Sequence, residues 1–266
     1  DAMKVSDRAD FSKADLTNAS IMDVDLTEAD FSDANLTNAN FTRSLMGSAN
    51  LSDATIVKTD FTACNLINAD FSGVTLQDVN LEKAGLSRAI FKGTEFNNVN
   101  MVGADLSLTI FDDVDLSKVR LQKAQFAQST VEDMNFNGQD LTEVVFDKGK
   151  VAGSRFEKAK LNGTSFFDTE VSKNFFKNAQ MLKADFDGAY IFKSIFDNAE
   201  LTKANFASAN IESSAFTGAK MTGANFSGAV LKKVDFTNAD LTGMKINADT
   251  KMDNVIFDGA DLSNAK

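Results

Sequence analysis

The chain of 266 residues contains no proline, no histidine and no tryptophan, and its only cysteine is Cys64. Because proline cannot donate a hydrogen bond to a strand ladder, its absence fits a protein built from paired strands. Without histidine, the commonest general base and metal ligand is missing. Cys64 has no histidine to activate its thiol and no second cysteine to form an intramolecular disulfide. We therefore predict no enzyme activity, no catalytic residue, no cofactor and no metal site.

The charged residues are predominantly acidic, with 38 Asp and Glu against 27 Lys and Arg and a net charge of -11. This balance disfavours direct contact with nucleic acid or an anionic membrane and favours a protein partner. No apolar run is long enough to cross a bilayer, so we predict no membrane insertion. We expect a soluble protein, cytoplasmic by default. An exported or lumenal location is the alternative, because the chain begins at Asp1 without a methionine.

An apolar residue occupies every fifth position from Phe11 to Ile246 without a break. These 48 positions hold only Phe, Leu, Ile, Met or Val, and we call each of them the centre of a five-residue repeat. A period of five belongs to neither a helix nor a strand. A fixed period held over this length indicates a repeat architecture.

The other positions of the repeat have their own preferences. The residue two before the centre is usually small, as at Ala29, and the residue directly before the centre is usually Asp or Asn, as at Asp30. The second residue after the centre is mostly Gly, Asn, Asp or Lys, and Gly and Asn tolerate the positive φ of a tight turn. Each repeat therefore predicts a short extended piece with one small and one large inward side chain, followed by a turn. The Asp side chains are expected to bond the local backbone.

The segments Ala29–Asp33, Ala104–Leu106 and Ala239–Gly243, which read ADFSD, ADL and ADLTG, resemble the repeats of pentapeptide-repeat proteins. The resemblance covers roughly residues 9–248. It implies an all-β fold, a right-handed quadrilateral parallel β-helix (a solenoid) with four pentapeptides per coil and about 12–13 coils. We expect a single domain over residues 1–266, with regular coils over 9–248. The frame then slips by one residue, and 249–266 form a last partial coil.

Four repeats per coil place residues 20 apart above one another, and the phenylalanines sort at this period. Twenty-one of the 24 phenylalanines occupy centres when Phe257 is included. We expect these phenylalanine ladders to be core rather than a ligand site, and Cys64, at an inward small position, to be a buried structural thiol. Two ladders are Phe136, Phe156, Phe176, Phe196, Phe216 and Phe236, and Phe126, Phe146, Phe166, Phe186, Phe206 and Phe226.

Acidic residues form a row on the first face of the predicted β-helix, the face that carries the centres Phe11 and Phe31. Some pentapeptide-repeat proteins are DNA mimics that bind type II topoisomerases and protect them from quinolones, so the resemblance implies that this row could replace the charge of a duplex. The alternative interpretation, which we prefer, is a solvated surface that keeps the protein soluble. The row consists of Asp10, Asp30, Asp33, Asp53, Asp70, Asp112, Asp113, Glu132 and Asp133.

Outward apolar residues cluster in the second half of the chain. Exposed aromatic side chains that cluster suggest a binding patch, and the alternative is shielding of the sheet surface. Ile90 and Ile110 form a smaller outward pair on the first face. The residues of the candidate protein-binding patch are Phe167, Phe175, Tyr190, Phe192 and Ile195.

Our leading hypothesis from the sequence is a non-enzymatic scaffold that binds an unidentified protein partner through this patch, as a monomer or an end-to-end dimer. One alternative is a DNA mimic that binds DNA gyrase or topoisomerase IV, as the resemblance implies. The other is the repeat domain of a larger secreted effector or lumenal protein.

Overall fold

The strands of this protein are only two or three residues long, and each pairs in parallel with strands one coil away. The structure, a computed structural model, describes the backbone of residues 3–4, 8–111 and 114–266, and the side chains of 8–111 and 114–266, which form no helix. The chain divides into an N-terminal unit, Asp1–Ser129, and a C-terminal unit, Thr130–Lys266. Each unit is a four-sided parallel β-helix, which confirms the predicted fold class. A single domain over 1–266 stays a prediction.

In the N-terminal unit, β1 pairs with β2, β4 lies between β3 and β5, and β6 pairs with β8. Isolated bridges complete each coil, one on every side, and all join residues 20 apart: Asp10 to Asp30, Asp15 to Asn35, Ser20 to Asn40 and Asp25 to Leu45. The strands are β1 Met3–Lys4, β2 Val24–Asp25, β3 Ile56–Val57, β4 Thr75–Gln77, β5 Glu95–Asn97, β6 Val99–Asn100, β7 Ile110–Phe111 and β8 Val119–Arg120.

In the C-terminal unit, seven strands form one sheet in chain order. The register is 20 residues between neighbours, as between Val151 and Val171, and becomes 21 between Leu231 and Met252. The register thus gains one residue in the part of the chain where the repeat frame slips in the sequence. The strands are β9 Thr130–Glu132, β10 Lys150–Ala152, β11 Glu170–Ser172, β12 Tyr190–Phe192, β13 Asn210–Glu212, β14 Val230–Lys232 and β15 Lys251–Asp253.

Most repeats end in a four-residue turn that starts at the centre. In the first regular repeat, the N–H of Ala14 donates to the carbonyl of Phe11 at 3.0 Å, and Lys13 between them has a φ of 59°. A positive φ at the third residue is what a type II turn requires. Gly and Asn fill this position as expected, but many lysines also do. The neighbouring coils hold these lysines in the left-handed conformation.

The Asp or Asn before each centre uses its side chain to fix the turn that follows. Asp30 Oδ1 accepts the N–H of Ser32 at 2.9 Å, and Asp60 Oδ1 accepts the N–H of Thr62 at 2.9 Å. A short polar side chain can reach a backbone donor two residues ahead, which explains the preference for Asp and Asn. The predicted structural role of these residues is confirmed at these positions.

The inward phenylalanines stack on their equivalents one coil away. In the C-terminal unit, Phe156 and Phe176 have parallel rings with centroids 4.8 Å apart, and Phe166 and Phe186 stack at 4.7 Å. The two ladders meet edge to face, with Phe166 and Phe176 at 6.0 Å and 85°. Offset stacking and edge contacts are the favoured geometries of aromatic rings. The prediction that these phenylalanines form the core is confirmed.

Some inward small positions hold polar side chains that bond the backbone. Cys64, predicted to be a buried thiol, is 1% exposed, and its Sγ donates to the carbonyl of Phe41 at 2.6 Å. In the same way, the hydroxyl of Thr59 donates to the carbonyl of Leu36 and that of Thr94 to the carbonyl of Phe71, each at 2.8 Å. Buried polar groups are tolerated when they are hydrogen-bonded, so these side chains fit inside the coil.

Candidate functional site

Strand β12 places two aromatic rings on the surface of the C-terminal unit. Because side chains alternate along a strand, Tyr190 and Phe192 point outward on either side of Ile191, which is fully buried. The two rings are nearly parallel, with an angle of 9° and centroids 6.1 Å apart. Tyr190 is 39% exposed, and Phe192 is half-buried.

A groove of about 410 Å³ begins at these two rings and extends over the preceding coils. Its floor is low because the residues one and two coils before Phe192 are Ser172 and Ala152, and Gly153 follows Ala152 at the corner. Small side chains beside large ones leave the hollow. We call it the unit 2 groove, and its residues are Glu132, Asp133, Lys150, Ala152, Gly153, Glu170, Ser172, Lys173, Tyr190 and Phe192.

Two charges in the unit 2 groove neutralise each other. Lys150 Nζ lies 2.6 Å from Glu132 Oε1, and the pKa of Lys150 is raised by this hydrogen bond first, then by the charge of Glu132 and more weakly by that of Glu170. Both side chains are 44% exposed, so the pair adds little to stability. It does fix the position of two charges along one wall of the groove.

Two further lysines lie at consecutive corners beside the unit 2 groove, Lys173 after β11 and Lys193 after β12. Lys193 Nζ lies 4.8 Å from the centre of the Phe192 ring, a cation–π contact, and Lys173 lines the groove one coil earlier. Asp133 stands at the opposite end. A Cβ added at Gly153 would overlap with Asp133 Oδ1, so the carboxylate occupies the space that glycine leaves open.

The remaining patch residues lie on other faces. Phe175, 39% exposed, and Ile195, half-buried, are bridge partners on the second face. Phe167 is half-buried, with Lys148 Nζ 5.8 Å from its ring centre. Among the described rings, Tyr190 and Phe192 contact each other but not Phe167 or Phe175. The structure thus brings together two pairs, and one patch of all five residues stays a prediction.

In the part of the acidic row that lies in the N-terminal unit, some carboxylates accept hydrogen bonds from backbone N–H groups. Asp10 and Asp70 accept the N–H groups of Ser12 and Ser72, each at 2.9 Å. Hydrogen bonds from the Ser12 side chain and then its backbone hold the pKa of Asp10 below its usual value. Both carboxylates therefore also fix turns.

The other members of the acidic row have different surroundings. Asp33 and Asp53 sit at corners, each with a φ of 57°. Asp112 and Asp113 lie outside the described residues. Glu132 and Asp133 belong to the C-terminal unit, where they line the unit 2 groove. Use of the row as a DNA mimic stays a prediction.

Sequence reasoning missed the floor of the unit 2 groove and a second hollow in the N-terminal unit. That hollow, of about 270 Å³, is lined by Ile90 and Ile110, the smaller outward pair, and by Leu108. Ile110 is 70% exposed, and Leu108 occupies a corner with a φ of 60°, where other repeats carry mostly polar residues or Gly. Both hollows could have been found by comparing outward residues at a period of 20 instead of five.

The described residues contain no group of three or more His, Cys, Asp and Glu side chains placed to hold a metal ion. Within the same part of the chain there is no helix of the length and hydrophobicity that a membrane span needs.

Two family models match the chain. One, described as pentapeptide repeats (8 copies), matches residues 7–43, 44–82 and 89–124, and the other, described as pentapeptide repeat region, matches residues 189–266. Together they cover more than half of the sequence. No match was found among curated proteins.

Several solved structures are similar. HetL, a pentapeptide repeat protein involved in heterocyst differentiation regulation from the cyanobacterium Nostoc, is 16% identical, with 95% of this chain and 90% of HetL covered and a TM-score of 0.30. A pentapeptide repeat protein from the Arabidopsis thaliana thylakoid lumen is 26% identical over 40% of this chain and 66% of its own, with a TM-score of 0.28. Full-length QnrB1, a plasmid-mediated fluoroquinolone resistance protein, is 18% identical over 78% and 92%, with a TM-score of 0.37.

Proposed function

Because the chain belongs to the pentapeptide-repeat family, we propose that it is a non-enzymatic scaffold that binds a protein partner through the unit 2 groove. The observation that supports this function is the pair of outward rings, Tyr190 and Phe192, at the head of a groove with a small-residue floor. Tyrosine and other aromatic residues are enriched among the residues that dominate binding energy, especially beside pockets.

The position of the rings also favours binding over a purely structural role. The core of this coil is already closed by Ile191, Phe186 and Phe196, all fully buried, so the outward rings are not needed to fill it. Phe192 is one of three phenylalanines that do not occupy a centre. Aromatic side chains at positions that are otherwise polar suggest selection for contact with another molecule.

A display library of natural protein fragments tests the proposal. Fragments are selected on the wild-type protein, and their dissociation constants are then measured by fluorescence anisotropy for wild type, the double variant Tyr190→Ser/Phe192→Ser and the control Leu182→Ser. Leu182 is also outward in the C-terminal unit and 43% exposed, but it does not line the groove.

We expect the double variant to bind the selected fragments about 30-fold or more weakly than wild type, since loss of a dominant aromatic contact costs about 2 kcal/mol of binding free energy. Leu182→Ser should bind like wild type, and both variants should keep the wild-type unfolding midpoint. Equal binding by the double variant and wild type would refute the proposal.

A second candidate function is supported by the acidic row of the N-terminal unit. Asp10 and Asp30 are bridge partners about 4.8 Å apart on one side of this unit, and Asp70 follows two coils after Asp30 with Asn50 between them, so this side presents a row of negative charge interrupted by one neutral residue. Binding to DNA gyrase or topoisomerase IV as a DNA mimic follows if this charge replaces phosphates. A gyrase supercoiling assay, with and without quinolone, decides it: no inhibition and no protection at micromolar protein would exclude the function.

A further inference from the structure

We infer that the occupant of the unit 2 groove is an extended peptide segment with the pattern basic–x–apolar–x–acidic. This inference rests on the proposed function and specifies the chemistry of the partner. It is carried by the order of charges along the groove, by their spacing and by the small-residue floor between them.

The two ends of the groove carry opposite charge. Asp133 lies at one end, and Lys173 and Lys193 occupy the same corner position two and three coils later. Gly153 fills this position in the coil between Asp133 and Lys173, where it places no charge. A ligand that lies along the groove therefore meets a carboxylate first and ammonium groups last.

The other charged groups that face the groove have partners in the protein, although Glu170, which is bonded to the neutral Ser172 hydroxyl, keeps its negative charge near Lys150. Glu132 pairs with Lys150 at 2.6 Å, and Ser172 Oγ lies 3.3 Å from Glu170 Oε1. Beyond the rings, Lys232 and Glu212 are 3.6 Å apart. Within the described part of the chain, the ion pairs include neither Asp133 nor Lys193. Both side chains are exposed, so their charges are accessible to a charged ligand.

The spacing of the end charges fits an extended chain. The register from Glu132 through Ala152 and Ser172 to Phe192 spans three strand separations, so Asp133 and Lys193, the next residues at each end, lie about 14 Å apart. In an extended peptide, side chains four residues apart point the same way and are separated by about 13 Å. A basic residue and an acidic residue at these two positions can therefore reach both ends.

The middle of the groove selects the residue between the two charges. The third residue of the segment would lie over Ala152 and Ser172, beside the exposed Tyr190 ring. This floor has room for a side chain, and the Ala152 methyl group and the Tyr190 ring offer apolar contacts, so an aliphatic or aromatic residue fits it best. The two alternate residues of the segment point away from the groove and are unrestricted.

The inference is tested with capped, fluorescein-labelled peptides that differ only at the charged positions. The three probes contain Arg-Thr-Leu-Thr-Glu, Arg-Thr-Leu-Thr-Arg and Glu-Thr-Leu-Thr-Glu, and acetyl and amide caps remove the charges of the termini. A fourth probe, Arg-Thr-Glu-Thr-Leu, keeps the composition of the first but shortens the distance between the charges. Binding is measured by anisotropy at low and high salt.

The wild-type protein should bind the first probe at least about five-fold more tightly than the other three at low salt, and less tightly at high salt. The variant Asp133→Lys should prefer the doubly acidic probe, and Lys173→Glu/Lys193→Glu should prefer the doubly basic probe. Lysine is compatible with the corner, since Lys173 has a φ of 58° there. Circular dichroism melts confirm that each variant is folded.

Equal binding of all probes, binding of none, or a probe preference that the charge variants leave unchanged would overturn the inference. These outcomes are distinct from failure of the proposed function, which is read from the natural fragments and Tyr190→Ser/Phe192→Ser. If that double variant loses the natural fragments while the probes do not discriminate, the groove binds a partner of another chemistry.

Discussion

The Oδ1 atom of Asn174 accepts the backbone N–H of Ser154, one coil earlier, at 2.9 Å. The relation repeats along the C-terminal unit, where Ser194 Oγ accepts the N–H of Asn174 and Ser214 Oγ accepts that of Ser194. These residues follow the three-residue strands, where the chain stays extended past the centre. Their N–H groups bond side chains of the next coil, so a vertical row of polar side chains satisfies buried donors.

Replacing Asn174 with Ala should destabilise the C-terminal unit by about 3 kcal/mol, because two buried backbone groups would lose their partners. Besides accepting from Ser154, Asn174 donates through Nδ2 to the carbonyl of Val151 at 2.7 Å. Asn174→Ser should cost less than half as much, since Ser194 accepts the N–H of Asn174 in the preceding coil with a hydroxyl. Urea titrations measure both variants, and equal midpoints for Asn174→Ala and wild type would contradict the assignment.

Replacing Phe176 should show how much one stacked ring contributes to the free energy of unfolding. Phe176 is fully buried and stacks on Phe156 at 4.8 Å and on Phe196 at 4.6 Å. Phe176→Ala should lower the free energy of unfolding by about 3–5 kcal/mol, and Phe176→Asp should prevent folding because it buries a charge. The control Lys177→Ala changes an exposed neighbour and should melt like wild type; a normal melt for Phe176→Asp would refute the prediction.

Cys64 should make the stability of the protein fall at alkaline pH. Burial raises the pKa of its thiol to about 12, above the value in an unfolded chain, so the folded protein holds the proton while the unfolded chain releases it. Stability is therefore retained below about pH 9 and decreases between about pH 9 and 12, by at most about 4 kcal/mol.

The variant Cys64→Ala isolates the effect of this thiol from every other effect of alkaline pH on stability. Alanine occupies the same inward position one coil later, at Ala84. The difference in unfolding free energy between the two proteins should shrink or reverse sign as the pH rises. A constant difference from pH 7 to 11 would be inconsistent with a buried neutral thiol.

Two glycines of the C-terminal unit should separate stability from binding. Gly153 and Gly138 have φ values of 62° and 69°, so alanine at either corner should cost about 1 kcal/mol. A Cβ at Gly138 has no atom within 4 Å, whereas one at Gly153 would displace the Asp133 carboxylate.

Gly153→Ala should therefore lower the affinity for the Arg-Thr-Leu-Thr-Glu probe by about five-fold, and Gly138→Ala should leave this affinity unchanged. Anisotropy titrations of the two variants, with melting curves beside them, make the comparison. If both variants lose affinity equally, Asp133 is not the group that meets the basic residue.

The core and the register were predictable from the sequence, whereas the groove was not. A large residue at every fifth position and a small one two before it predict two inward side chains per repeat, and the resemblance to pentapeptide-repeat proteins implies four repeats per coil and hence stacking at a period of 20. The local role of Asp30 and the burial of Cys64 were predictable for the same reason. Each depends on contacts within one repeat or between adjacent coils.

The function of Ser154 and Asn174 could not be predicted from the repeat, because repeats with a turn and repeats with an extended strand share the same apolar pattern. In a repeat with an extended strand, the side chain of the inward residue must accept a hydrogen bond from a backbone N–H of the preceding coil, as Asn174 does from Ser154. The groove depends likewise on side chains from several coils. The repeat pattern predicts that Tyr190 and Phe192 lie on the surface. The small size of Ala152 and Ser172 matters only because these residues stack below Phe192 in adjacent coils.

Because the register of the C-terminal unit is constant, each surface residue stacks on the residue 20 positions away, and the position of any outward side chain follows from its number. Duplication of any 20 residues between β9 and β12 would lengthen the groove by one strand separation of about 4.8 Å while every backbone partner finds an equivalent. The length of a recognised segment can thus change in whole steps. A single extra residue has no such effect, because the turn between Ile246 and Met252 absorbs it and the ladder resumes.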